Sequence, residues 1–155
     1  MARTAVADRQ SSPAQAPPLS FLLADVKDMM VLELDRRLHE AGYTDLRAVH
    51  GVVFRNLRRD GIRVTDLADA AKMTAQSMGE HVAELEQLGY VVRSPDPQDR
   101  RARLISPTAK GVSAMMFARE ALRAVEAEWS ETLGAGRIRQ MRATLESIRK
   151  LYRES

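Results

Sequence analysis

The side chains best placed to do chemistry in this chain are guanidinium, amide and hydroxyl groups. Asp96, Asp99, Arg100, Arg101 and Arg103 crowd into one polar, proline-broken stretch. A guanidinium is a planar fork of N–H donors that fits a phosphate or a base edge bidentately. Upstream, Thr74, Ala75, Gln76, Ser77 and Glu80 place an amide, hydroxyls and a carboxylate about one helical turn apart. Glutamine can pair with adenine through two bonds, serine can bond a base or a phosphate, and a carboxylate can accept from cytosine N4.

Other chemistries have no comparable support. The three histidines, His39, His50 and His81, lack the i, i+4 spacing of a helical metal site. The sequence carries no Gly-rich phosphate loop and no nucleophile–base constellation, so no enzyme activity, cofactor or metal is expected. Cysteine is absent, which excludes disulfides, thiolate metal sites and thiol-based redox sensing.

The elements that must position these groups can be read from periodicity. Leu22, Val26, Met30, Leu34 and Leu38 recur every four residues and predict a first helix from Leu19 that Gly42 stops. Thr44 is expected to cap a second, with Leu46, Val49, His50, Val53 and Leu57 on its apolar face, ending at Arg58 to Gly61. An extended piece, Ile62 to Val64, leads to Thr65 as N-cap of a third helix, Asp66 to Ala71. Thr74 caps a fourth, which reaches Leu88 and stops at Gly89. Tyr90 to Ser94 and Arg101 to Ser106 read as paired strands, after which Thr108 caps a long fifth helix. Gly134 and Gly136 separate that helix from a sixth.

At about 100° per residue, Met78, Val82 and Leu85 of the fourth helix share one side and must face a core. Gln76, Glu80, Ala83 and Gln87 lie opposite, Ser77 and Gly79 flank them, and His81 falls at the core boundary. Two short helices followed by a hairpin is the order of a winged helix-turn-helix. The fold is therefore expected to be mainly α with a small β-hairpin wing, a DNA-binding lobe joined to a helical dimerisation region. In that arrangement the start of the second helix reaches base edges in the major groove, and a hairpin tip can set arginine in the minor groove. Asp99 stands close enough to Arg101 to orient its guanidinium, and strand alternation puts Arg101 and Arg103 on one side. The plainer readings are a solvated helix face and a charged turn balanced by its own aspartates.

The stretch LADAAKMTAQSMGEHVAELEQLGYVVRSPDPQDRRARLISPTAKG resembles the MarR family of bacterial transcriptional regulators. The Leu–Glu–x–Leu–Gly–Tyr–Val end of the fourth helix, the Asp–Pro–x–Asp–Arg–Arg wing and the Thr–x–x–Gly start of the next helix carry the resemblance. It implies a homodimer on a pseudo-palindromic operator, with Arg101 in the minor groove and Asp99 as its orienting partner. Ala75, Gln76, Ser77 and Glu80 become the recognition-helix contacts, although many members bear a basic residue at the position of Glu80. Members that sense oxidants through cysteine cannot serve as the guide here. Others bind small phenolic or aromatic acids between the lobe and the dimer helices.

Composition sets the remaining bounds. With 155 residues, 45% of them hydrophobic and 29% charged, the chain has the makeup of a soluble globular protein with one core. No apolar run approaches the roughly 20 residues that span a bilayer, and Met1 to Pro18 lacks the apolar segment of a secretory signal. A cytoplasmic protein is expected. Net charge is +3, but arginine outnumbers lysine 20 to 4; arginine-rich codon usage accounts for a general excess, not for the wing cluster. Residues 1–18 are expected to be a disordered tail and 19–155 a single domain, with a DNA-binding lobe at 44–106 and dimerisation helices at 19–41 and 107–155.

Met115, Ala118, Leu122, Val125 and Trp129, then Ile138, Met141, Leu145, Ile148 and Tyr152, form seams suited to helix-on-helix packing. One chain would leave part of these faces exposed, so a second copy is expected. An effector pocket could be lined by Met29, Met30, His39, Arg47, His50, Phe54 and Met116, although His50 and the methionines equally suit a core. The reading is a DNA-binding, ligand-responsive repressor whose partners are double-stranded DNA, its own copy and a small aromatic or phenolic effector. A winged-helix module for protein–protein contact is the competing reading, and affinity for DNA that falls steeply with salt would separate the two.

Overall fold

The computed structural model describes residues 16–99 and 101–152. The expectations for residues 1–15 and Arg100 lie outside the described residues. Helix α1 spans Leu19–Glu40. It ends where Gly42 takes φ +89° and Tyr43 N–H reaches back to the Leu38 carbonyl at 2.9 Å, the glycine stop read from sequence. Burial grows along its apolar stripe: Leu22 and Val26 are exposed and Leu38 is buried. Only the C-terminal part of α1 therefore belongs to this subunit's core.

The second helix is shorter than its periodicity promised. A 3-10 turn, Ala48–His50, runs into α2, Gly51–Phe54. Thr44 does not cap it. Neighbouring Asp45 accepts from the Tyr90 hydroxyl at 2.5 Å and from Lys110 Nζ at 3.0 Å, and residues 44–47 stay non-helical around that anchor. His50 instead closes the first turn, its Nδ1 accepting the Arg47 N–H at 3.1 Å.

Strand β1, Ile62–Arg63, pairs antiparallel with β3, Arg103–Pro107, which pairs in turn with β2, Val91–Pro95. Ile62 faces Ile105, and Val92 faces Ser106. Because β3 holds Arg63 extended, Arg63 rather than Thr65 is the N-cap of α3, Val64–Ala71. Lys72 follows in the left-handed region (φ 55°) and turns the chain into α4, Ala75–Gln87. The core forms where α2, α3, α4 and the sheet meet, with Val53, Leu67, Met78, Val82, Leu85, Tyr90 and Ile105 fully buried.

Thr108 caps α5, Ala109–Leu133, by accepting the Gly111 N–H at 3.1 Å. Its hydroxyl donates to the Gly89 carbonyl at 2.7 Å. Gly111 is required here: a Cβ at this position would lie 2.0 Å from the Tyr90 carbonyl oxygen. The fifth helix buries Gly111, Ala114, Ala121 and Val125, a line rotated from the expected seam, so that Met115, Ala118 and Leu122 border a cavity instead. A single residue, Gly134, separates α5 from α6, Ala135–Leu151; Gly136 lies inside α6. Of that last helix only Ile138 is buried. Among the described residues, no helix is long and apolar enough to cross a membrane.

Candidate nucleic-acid interface

The N-terminal turn of α4 projects from the lobe because its opposite face is committed to the core. Met78, Val82 and Leu85 are buried as expected, His81 is half-buried, and Thr74, Ala75, Gln76 and Glu80 are exposed. Thr74 accepts the Ser77 N–H at 3.1 Å, satisfying one of the free amides at the helix start. Gln76 Nε2 lies 3.5 Å from Glu80 Oε1, a weak bond that spans one turn of the outer face. Nothing stands within 4 Å of where a Cβ would extend from Gly79, so that flank is open to a close neighbour. Lys72 adds an exposed cation at the turn between α3 and α4, a position that sequence reading passed over.

The wing is fixed by a residue the sequence reading did not single out. Arg63 in β1 sends both Nε and Nη2 to Asp96 Oδ2, at 2.9 and 2.5 Å. Asp96 is buried at 6% exposure, and its other oxygen accepts the Gln98 N–H at 2.8 Å. The Gln98 amide, then Arg63, hold the Asp96 carboxyl below its ordinary range, and Asp96 in turn raises the Arg63 guanidinium. The turn closes through Asp96 N–H to the Ala102 carbonyl at 3.1 Å and Ala102 N–H to the Asp99 carbonyl at 2.9 Å.

Asp99 does not pair with the Arg101 guanidinium as expected. Its Oδ1 accepts the Arg101 backbone N–H at 3.0 Å, and its Oδ2 faces Arg63 at 3.7 Å. A short aspartate two residues ahead reaches the local backbone more readily than the end of a long side chain. Arg101 and Arg103 are exposed, and neither guanidinium has an ion-pair partner among the described residues. The wing thus presents two uncommitted cations on a braced turn.

The cavity lies between α1, α2, α5 and α6, with a volume of 740 Å³. Leu34, Leu38, Phe54, Leu57 and Leu122 supply apolar wall. Arg47, Arg55, Arg119, Arg123 and Arg142 face it against one carboxylate, Glu126, which pairs with Arg142 at 2.5 Å. Of the residues expected to line a pocket, Arg47 and Phe54 line this cavity, and Met116 borders a separate one of 120 Å³. Met29 and Met116 are exposed, and Met30 and His39 lie outside the lining. His50 is fully buried beneath it, held by the Arg47 N–H and by Glu84. Among the described residues no group of three or more His, Asp or Glu side chains is placed to hold a metal ion.

Comparison with known proteins bears on this arrangement. The model of the MarR family matches residues 44–102, the stretch from the Asp45 anchor to the wing tip. CouR from Rhodococcus jostii RHA1, solved bound to p-coumaroyl-CoA, is similar at 30% identity and TM-score 0.67, over 86% of this chain and 94% of that one. The chain belongs to the MarR family. It shares 29% identity with the transcriptional activatory protein BadR of Rhodopseudomonas palustris, over 97% of this chain and 87% of BadR. A MarR family protein of Mycobacterium tuberculosis in complex with salicylic acid is 28% identical, with TM-score 0.66, over 87% of this chain and 98% of that one. As a MarR protein the chain is a DNA-binding transcriptional regulator, and the exposed turn of α4 and the adjacent wing are the surfaces a winged helix offers to duplex DNA.

Proposed function

We propose that the chain is a homodimeric repressor that occludes a promoter and leaves its pseudo-palindromic operator when a small anionic effector fills the cavity. One observation carries the DNA reading: Arg101 and Arg103 have no ion-pair partner among the described residues, on a wing clamped by Arg63 and Asp96 beside the exposed start of α4. A braced tip loses little freedom on docking, so its cations are available to phosphates and to the minor groove. In this reading Arg101 enters the minor groove and Arg103 and Arg100 meet the backbone, with Asp99 shaping the turn. Thr74, Ala75, Gln76, Ser77 and Glu80 face the major groove. No catalytic role is assigned to any residue, and the protein acts in the cytoplasm.

The dimer reading rests on exposed apolar surface. Leu19, Phe21, Leu22, Leu23 and Val26 at the start of α1, and Met141, Leu145 and Ile148 along α6 with Tyr152 at its end, are all exposed. Exposed apolar side chains gathered on helix faces in this way suit contact with another protein surface. A second copy covering it gives two reading heads about one helical turn of DNA apart. Residues 44–106 then form the DNA-binding lobe, and 19–41 with 107–155 the dimerisation helices.

The effector reading rests on the cavity and on the relatives. Leucine and phenylalanine walls suit an aromatic ring, and the excess of arginine suits a carboxylate or phosphates. An aromatic or phenolic acid, free or as its CoA thioester, matches both features and the ligands of the two solved relatives. It would favour a half-site spacing that no longer fits the duplex, a population shift between dimer geometries.

The test starts by selecting duplexes bound by the purified full-length chain. Anisotropy titrations on an enriched duplex at several salt concentrations should give log–log slopes set by the number of phosphates neutralised, with a dimer by sedimentation. No enrichment, or affinity insensitive to salt, would favour a protein-interaction module. A promoter reporter then separates repression from activation, the sign that the name of BadR carries.

A further inference from the structure

The cavity and the reading helix share one side chain. Arg47 lines the cavity, and its Nη2 donates to Glu84 Oε1 of α4 at 2.5 Å. Glu84 sits one turn beyond Glu80, itself bonded to Gln76, so it belongs to the flank of the reading face. His50 lies beside this pair. Its Nδ1 accepts the Arg47 N–H, and its Nε2 lies 3.1 Å from Glu84 Oε2, close but not aligned for a hydrogen bond. Contacts first with His50 and then with Arg47 hold the Glu84 carboxyl below its ordinary range.

We infer that Arg47 is the residue through which an anionic effector reaches the DNA-reading helix: it exchanges Glu84 for the ligand's anionic group. This rests on the effector reading above. The geometry supports exchange for three reasons. Arg47 is 63% exposed at its side chain and Glu84 38%, so their pair is solvated and weak enough for a competing carboxylate or phosphate to displace. Of the remaining cavity arginines, Arg55 ends α2 in the same segment as Arg47, while Arg119 and Arg123 of α5 and Arg142 of α6 belong to other helices. An anion held by them and by Arg47 ties residues 46–57 to α5 at the expense of α4. His50, buried, bonded to the Arg47 backbone and in contact with Glu84, transmits the change, because that contact lies on the same carboxylate that Arg47 leaves.

Such a device works only by differential affinity: the effector must bind the state in which Arg47 is released more tightly than the state in which it is paired. By reciprocity, removing Glu84 from the pair must raise ligand affinity, and losing the pair from either side must mimic the ligand's effect on DNA.

Glu84→Gln and Arg47→Gln isolate the two sides of the pair, with p-coumaroyl-CoA and salicylate as probes. Calorimetry measures probe affinity without DNA. Anisotropy measures affinity for the selected duplex with and without saturating probe. In the unaltered protein the probe should weaken duplex binding at least about five-fold. Glu84→Gln should bind the probe at least three-fold more tightly, and its duplex affinity without probe should already sit near the probe-saturated value. Arg47→Gln should bind the probe about ten-fold more weakly and show the same lowered duplex affinity. A Glu84→Gln protein that retains the full effect of the probe on DNA overturns the inference, whatever its probe affinity. A wild-type protein that binds neither probe overturns the effector reading itself, and this inference with it. Should Glu84→Gln fold poorly by circular dichroism, Arg47→Gln decides alone, since it leaves α4 untouched; unchanged duplex affinity in that variant counts against the exchange.

Discussion

Arg63→Ala removes a side chain that the wing depends on and that has no free charge to offer DNA. Its two N–H groups both end on Asp96 Oδ2. Without them that oxygen is left in a site where Asp96 is only 6% exposed, while Oδ1 keeps its bond from Gln98. An unsatisfied buried acceptor costs about 1–3 kcal/mol. Arg63 is itself 39% exposed at its side chain, so water reaches the vacated position and the lower end, about 1–2 kcal/mol, applies. For a domain of this size that lowers Tm by about 2–6 °C.

The effect on DNA follows from the same brace. The turn between β2 and β3 keeps its own backbone bonds, Asp96 to Ala102 and Ala102 to Asp99, but its tie to β1 is gone. Arg101 and Arg103 must then be ordered at the moment of binding, and each immobilised side chain costs about 0.5–1.5 kcal/mol. A loss of about ten-fold in duplex affinity is expected. The salt slope should stay where it was, because the Arg63 guanidinium is already neutralised by Asp96 and releases no counterion. Arg63→Lys should recover only part of the loss, since an ammonium cannot reproduce the two-pronged geometry. The assay is anisotropy on the selected duplex from 50 to 200 mM salt (about the range over which counterion release is read), paired with a thermal melt. Affinity within two-fold of the unaltered protein, or a slope that falls by about one, would refute the positioning argument: the first because the wing would need no brace, the second because Arg63 would itself be touching phosphate.

Three further outcomes are expected. Arg101→Ala should weaken duplex binding by about 1–3 kcal/mol and lower the salt slope by about one, with no change in melting temperature, because its guanidinium has no ion-pair partner among the described residues; unchanged affinity would exclude minor-groove insertion. Gly111→Ala should destabilise the fold by about 3 kcal/mol, since the new Cβ meets a backbone oxygen at 2.0 Å that cannot rotate away; a urea midpoint equal to wild type would show that α5 can shift without cost. The carboxyls of Asp45, Glu84 and Asp96 are depressed chiefly by Tyr90, His50 and the Gln98 amide respectively. Their stabilisation is complete above the ordinary carboxylate range near about 4 and is lost as pH falls through the depressed values. The urea midpoint should therefore drop below about pH 4, and a midpoint that rises on acidification would contradict the assignment.

Local signals were legible wherever one residue closes its own turn. Gly42, Thr74 and Thr108 end or begin helices through bonds to the backbone within five residues, and the period of Met78, Val82 and Leu85 survives as full burial. The failures share a different cause. Thr44 and Thr65 carry good capping chemistry, but Asp45 is anchored by Tyr90 and Lys110, and Arg63 is held extended by β3, both from far along the chain. Tertiary bonds overrode the local preference in each case. Asp99 meets the Arg101 backbone N–H and not its guanidinium, because the short carboxylate reaches the local backbone first. The pocket was hardest to foresee, because α1, α2, α5 and α6 each contribute a wall, and arginines at its mouth look like any solvated face until those helices are brought together.

The twenty arginines of this chain make the same point in chemical terms. Type and spacing do not separate them; the occupancy of each guanidinium does. Arg37 is 17% exposed and committed to Glu33 and Glu128, both at 2.6 Å, which fastens α1 to α5. Arg63 is committed to a buried carboxylate and fastens the wing. Neither can turn to a ligand without leaving a carboxylate behind, in the second case one that water barely reaches. Among the described residues Arg101 and Arg103 have no such claim on them, so a phosphate gains their full donor capacity. Arg47 and Arg142 stand between these limits, each held by one partly exposed carboxylate, Glu84 or Glu126. A pair of that kind is strong enough to define a resting geometry and weak enough to be traded for an incoming anion. A regulator needs all three classes: fixed cations to shape the reading head, free ones to hold DNA, and exchangeable ones to let a small acid change the first arrangement and so weaken the second.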